Sequence, residues 1–218
     1  MRVVIAGGHG KIARLLERHL AGRGDTAVGL IRNPDHAAAL TAAGAAPVVC
    51  DLEHADVTEV AGHLAGADAV VFAAGAGPGS GATRKDTVDR AAAALLADAA
   101  QRAGVRRYLL VSSMGVERDP APGTDAVFAA YLRAKKAAED DLTTRDLDWT
   151  VLRPGRLTDD PPTGRITLAR HVDRGAVTRA DVARVLVALL DRPASAGLIL
   201  ELVGGNTPLD EAVATATA

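Results

Sequence analysis

Val3-Val4-Ile5-Ala6-Gly7-Gly8-His9-Gly10-Lys11-Ile12-Ala13 is the stretch whose reading decides the fold. Residues 2–6 form a short apolar run that stops at a glycine pair, the pattern of a buried strand. From residue 11 to residue 23, apolar side chains recur at Ile12, Leu15, Leu16 and Leu20, which is helical spacing, and Gly22 and Gly24 close it. The turn between them has the form Gly7-x-x-Gly10-x-x-Ala13. Gly7 makes the tight turn, Gly10 lacks a Cβ and lets the backbone approach a phosphate, and Ala13 allows close helix–strand packing. The helix N-terminus offers unpaired N–H groups and a partial positive charge. A Walker A loop is excluded, because its first glycine would fall on Ile5 and its Ser/Thr on Ile12.

Outward from this turn, strands and helices alternate. Strands are expected at residues 26–31, 46–50, 68–72, 107–111, 149–152 and 198–203, with a short one at 166–168. Helices are expected at 34–43, 56–64, 84–103, 127–144 and 179–190. Irregular loops cover 75–81, 119–125 and 158–165, and the Ala/Thr-rich tail from Asn206 is expected to fray. This order predicts an α/β protein: a single-domain Rossmann fold, doubly wound, with a parallel sheet and helices on both faces. Residues 1–218 are read as one NAD(P)-binding domain, with a small substrate-covering part at about 153–205.

Composition narrows the function. The chain of 218 residues is 48% hydrophobic but only 2% aromatic, so its core is built from Ala, Val and Leu. A net charge of −2 with dispersed arginines lacks the basic stripe of a nucleic-acid binder. The single cysteine, Cys50, allows no intrachain disulfide and fits a reducing compartment. No apolar run approaches the roughly 20 residues that span a bilayer, and no leader pattern precedes the first strand. A cytoplasmic protein without membrane or nucleic-acid partners is expected, with its oligomeric state left open. The histidines (His9, His19, His36, His54, His63 and His171) form no close pairs and have no cysteine cluster beside them, so no metal is expected.

Residues at the strand ends select the cofactor. Gly7, Gly8, His9, Gly10, Lys11 and Ile12 make the phosphate turn. Arg32 closes the second strand where an NAD binder usually carries a carboxylate, and a guanidinium matches a 2′-phosphate. NADP is therefore favoured over NAD, although Asp35 could reach a ribose instead. Asp51 and Leu52 end the third strand, where the carboxylate serves either the adenine edge or the cap of the next helix. Ala73, Ala74 and Gly75 end the fourth, small enough for a cofactor to cross the strand tips.

Tyr131-x-x-x-Lys135 puts a phenol and an ammonium on one face of an expected helix. Tyrosine in such a setting can exchange a proton with a carbonyl or alcohol, and lysine can hold the nicotinamide ribose. Ser112 and Ser113 end the fifth strand on the same edge, and either could orient a carbonyl oxygen.

Together with Val111-Ser112-Ser113-Met114-Gly115, Asp148-Trp149-Thr150-Val151-Leu152-Arg153-Pro154-Gly155 and Thr178-Arg179-Ala180-Asp181-Val182-Ala183, these motifs resemble the short-chain dehydrogenase/reductase superfamily. The match is to its small atypical NAD(P)H-binding members, related to the extended epimerase/dehydratase branch, and covers almost the whole chain. The resemblance implies an NAD(P)-dependent oxidoreductase passing hydride between the nicotinamide and a small carbonyl or alcohol. By the same resemblance Tyr131 is the acid/base, Lys135 its partner and Ser113 the orienting serine, with Arg153, Pro154 and Gly155 beside the nicotinamide. Two alternatives remain: a non-catalytic NADP(H) sensor, and an epimerase or dehydratase that retains its cofactor. Ala13 stands where the third glycine is usual, and the chain is short for the C-terminal lobe of a sugar-nucleotide epimerase. Asp159-Asp160 reads as a solvated loop pair, and Trp149 and Phe128 as core or pocket residues.

Overall fold

A computed structural model describes every residue except Pro78 and Pro122. Along the chain, β1 (Arg2–Ala6) leads to α1 (Lys11–Gly22) and β2 (Thr26–Ile31). A 3-10 turn, Pro34–His36, runs into α2 (Ala37–Ala42), followed by β3 (Ala46–Val49), α3 (Val57–Leu64) and β4 (Ala69–Phe72). Next come α4 (Ala82–Arg84), a π-helical stretch at Lys85–Ala91, and α5 (Ala92–Ala103). Then follow β5 (Arg107–Val111), α6 (Ala126–Thr143), β6 (Asp148–Pro154), β7 (Arg156–Thr158), β8 (Arg165–Ala169) and β9 (Ala176–Thr178). The chain ends with α7 (Arg179–Leu190), β10 (Leu198–Gly204), β11 (Thr207–Pro208) and α8 (Leu209–Ala216).

The main sheet has nine strands in the order β11-β8-β10-β6-β5-β4-β1-β2-β3. From β3 across to β10 all pairings are parallel. The chain moves outward from β1 through β2 to β3, then returns to β4 on the other side of β1. That reversal opens a crevice at the C-terminal ends of β1 and β4, where ligands bind in open α/β sheets.

The inner strands are apolar because helices cover both faces. On one face Leu16 and Leu20 of α1 meet Leu186 and Leu189 of α7. On the other, Leu64 of α3, Leu96 of α5 and Leu142 of α6 pack against Val70 and Leu110. Small residues such as Ala13, Ala99 and Ala100 are fully buried, which draws helices close to a sheet with few aromatics. Each fully buried leucine contributes on the order of 1.5–3 kcal/mol.

Two expectations are corrected at the C-terminal edge. The sheet is not parallel throughout: β8 is antiparallel to β10, and β11 is antiparallel to β8. Antiparallel neighbours need no crossover helix. The tail does not fray, because α8 buries Leu209, Ala212 and Val213 against the core. Its apolar spacing is helical, but Ala/Thr composition disguises it.

Candidate active site

The glycine turn is built as its spacing requires. Gly7 adopts φ +79°, and a Cβ there would stand 2.6 Å from the Ala74 Cα. A Cβ on Gly8 would stand 2.8 Å from the Cα of Gly29 on β2. The Gly8 N–H donates to the Leu30 carbonyl at 3.0 Å, and the Gly10 N–H to that of Gly7 at 2.8 Å. Gly10 is the N-cap of α1 and, having no side chain, leaves the first-turn N–H groups uncapped. The uncapped N–H groups form a cradle for an anion, and the missing Cβ atoms at Gly7 and Gly8 let the turn pack against Ala74 and Gly29.

Two clefts meet over the strand tips at Ala73–Ala76. The first, of about 290 Å³, is lined by Gly7, His9, Gly10, Arg32, the segment Cys50–Glu53, and Arg84. Arg32 points into an ionic cluster the sequence did not reveal. Its guanidinium lies 3.1 Å from Glu53, which also accepts from Arg84 at 2.7 Å and from the Thr87 hydroxyl at 2.6 Å. The hydrogen bond from Arg84 holds the Glu53 carboxyl below its ordinary range. His9 stacks on His36 with ring centroids 3.6 Å apart. Burial, with His36 and Arg14 nearby, lowers the His9 pKa and favours the neutral ring. Asp51 accepts from the Glu53 N–H at 3.1 Å and lies 2.9 Å from His54 Nδ1. Asp51 is thus part of the cleft wall, whereas the cap of α3 is Asp56.

The second cleft, of about 610 Å³, shares Ala73–Ala76 and adds Ile12, Ser112, Tyr131, Lys135, Lys85, Asp89, Phe128 and Arg179. Tyr131 and Lys135 both line it, as expected from one face of α6. Lys135 is buried, donates to the carbonyls of Val111 at 3.1 Å and Ala74 at 3.3 Å, and lies 3.3 Å from Asp89. The ammonium thereby ties the tips of β4 and β5 to α6 and to the π-helical stretch. The Ser112 hydroxyl is buried without a partner, whereas Ser113 donates to the Met114 carbonyl at 3.3 Å. The serine on the cleft wall is therefore Ser112. The other tyrosine, Tyr108, is fully buried, bonds the Ala93 carbonyl at 3.2 Å, and has its phenol pKa pushed up by burial.

Other candidates lie elsewhere. Pro154 accepts from the Met114 N–H at 3.0 Å and Gly155 donates to Leu202 at 2.8 Å, and neither lines either cleft. Arg153 is enclosed by Glu139, at 3.0 and 2.6 Å, under α6. Trp149 packs against the core. Asp159 is not merely solvated: it pairs with Lys11 at 2.5 Å and Arg179 at 2.7 Å, linking the glycine turn to the C-terminal part. Cys50, Glu59 and His63 bring ligand atoms within 4.8 Å of one another, a grouping that a search for histidine pairs does not detect. Among the described residues, no helix is long and apolar enough to cross a membrane.

The geometry agrees with what the chain is similar to. A family described as NAD(P)H-binding matches residues 7–193. The uncharacterized sugar epimerase YhfK of Bacillus subtilis is 32% identical over 214 residues, 98% of this chain and 99% of that protein. A solved protein from Bacillus halodurans, described as an NAD-dependent epimerase/dehydratase, superposes with a TM-score of 0.91 at 34% identity, covering 99% of each chain. ChuY, an anaerobillin reductase from Escherichia coli O157:H7, superposes at 0.79 with 27% identity over 94% of this chain and 97% of its own.

Proposed function

The chain belongs to the NAD(P)H-binding family, and from that premise we propose that it is an oxidoreductase using NADP(H) to interconvert a small carbonyl compound and its alcohol. The observation that carries this reading is the joining of two clefts at Ala73–Ala76, with the glycine cradle in one and both Tyr131 and an unpartnered Ser112 lining the other. When bound, the nicotinamide supplies hydride to the substrate carbon in reduction and accepts it in oxidation.

The residues divide the remaining work. Gly7, Gly8 and Gly10 with the N-terminus of α1 hold the pyrophosphate. Arg32 and Arg84, both drawn to Glu53, present guanidinium groups to a 2′-phosphate. Tyr131 gives its phenolic proton to the carbonyl oxygen as the carbon is reduced, and takes it back in the reverse direction. Ser112 donates a hydrogen bond to the same oxygen, satisfying a hydroxyl that otherwise has no partner. Ser113, the serine that the resemblance favours, is occupied with Met114. Lys135 positions Tyr131 and the strand tips, with its charge balanced by Asp89.

The test is NADPH oxidation against a panel of small ketones and aldehydes. Replacing Tyr131 by Phe is expected to lower kcat by about 10²–10⁴-fold, with the Kd for NADPH within a factor of about two. Undiminished turnover in Tyr131→Phe would refute the assignment. The names of the Bacillus relatives favour one other reading, an epimerase or dehydratase that keeps its cofactor. That reading requires cofactor to copurify and no net NADPH consumption.

A further inference from the structure

Lys85 opens the π-helical stretch and is only 8% exposed. Its ammonium donates to the Gly77 carbonyl at 2.9 Å and lies 5.4 Å from the centroid of the Tyr131 ring. Among the described residues no carboxylate comes within 4.0 Å of it. The neighbouring cations of the same cleft differ: Lys135 has Asp89 and Arg179 has Asp159. A buried charge without a counter-ion is costly, and an anionic ligand group in the cleft would offset that cost for Lys85. In the same cleft, Phe128 is 50% exposed and stacks at 6.0 Å on Tyr131, and Val127 and Leu157 also line the wall. Exposed apolar groups beside an unpaired cation fit an amphipathic ligand. Short π-helical segments often mark functional sites, and this one turns Lys85 and Asp89 into the cleft.

We infer that the substrate carries a carboxylate bound by Lys85 and an apolar body resting on Phe128, so that the reacting carbonyl belongs to an oxo acid. The inference rests on the oxidoreductase reading for the identity of the reacting group, but its binding chemistry can be tested alone. An oxyanion could also come from the cofactor. Lys85 lines the cleft of Tyr131 and not the cleft of Arg32, which assigns it to the substrate.

The probes are 4-phenylbutyrate and its neutral isostere 4-phenylbutanamide, titrated by calorimetry and by NMR line broadening into cofactor-free and NADP-loaded protein. The carboxylate is expected to bind at least about tenfold more tightly than the amide, a difference of about 1.4 kcal/mol. In Lys85→Gln that preference should disappear while amide binding and the Kd for NADPH stay unchanged, and Lys85→Arg should restore it. Equal binding of the two probes to the wild-type protein, which needs no variant, would overturn the inference. So would a preference that survives Lys85→Gln. A loss of NADPH affinity in Lys85→Gln would assign the ammonium to a cofactor phosphate instead. Failure of the wild-type protein to bind NADPH would end the oxidoreductase reading and still leave the probe comparison readable in the cofactor-free protein.

Discussion

One methyl group is enough to test the glycine turn. At Gly7, alanine must adopt a left-handed backbone, at a cost of roughly 1–2 kcal/mol, and its Cβ would also drive into the Ala74 backbone. Gly24 has a similar φ of +84° but open space around it. Gly7→Ala is therefore expected to lose NADPH binding by more than about tenfold, while Gly24→Ala loses only thermal stability, as seen by calorimetry of both variants. Glu17 makes a second prediction at this scale. Its carboxyl is fully buried beside Gly8 and Gly29 with neither oxygen bonded. Burial pushes its pKa from 4.5 up to about 8. A carboxyl with a raised folded-state pKa favours the fold while protonated, so stability should fall as pH climbs from about 4.5 to about 8 and then level off. Glu17→Gln should flatten that part of the Tm profile and be the more stable protein at pH 8; an unchanged slope would contradict this. Gly7, Gly10 and Ala13 were legible because their meaning lies in local spacing. The settings of Glu17, Glu53 and Lys85 were not, because their neighbours come from distant parts of the chain.

Among the elements, the π-helical stretch shows where reading along the chain fails. The Ala/Leu pattern of residues 84–103 correctly signals a helix, but nothing local reveals that Lys85–Ala91 is wound with a wider turn. That winding matters because it brings Asp89 to within 3.3 Å of Lys135. Removing one member of a buried pair strands the other, so Lys135→Met should destabilise the protein by about 3–5 kcal/mol. Lys135→Met combined with Asp89→Leu should recover most of that loss in urea unfolding. Equal stability of the single and double variants would show the pair to be energetically unimportant. The Tyr-x-x-x-Lys spacing puts Lys135 on the helix face of Tyr131, and both line the second cleft. Its carboxylate partner lies 46 positions earlier and had no sequence signal. The same limit explains the choice between the two serines, since alternation along β5 does not tell which hydroxyl faces the cleft after the strand has ended.

For the whole molecule, the alternation of strands and helices was sufficient to place the sheet, its crevice and both helical layers. The strand at β8 was expected from its sequence, but its antiparallel direction and the docked α8 escaped because short edge elements carry little periodicity. The fold brings the turn after β1, the arginines near β2 and α4, and the tyrosine of α6 to one edge of one sheet. That assembly underlies the central claim of NADP(H) binding. The direct test is a calorimetric titration of the purified protein with NADPH and NADH. NADPH should bind at least about tenfold more tightly, since charge-assisted hydrogen bonds to the 2′-phosphate are worth about 1.5–3 kcal/mol, and the double variant Arg32→Ala/Arg84→Ala should bring the two affinities together. Tighter binding of NADH would contradict the role given to Arg32 and Arg84, and heat from neither nucleotide would contradict the account of the site itself.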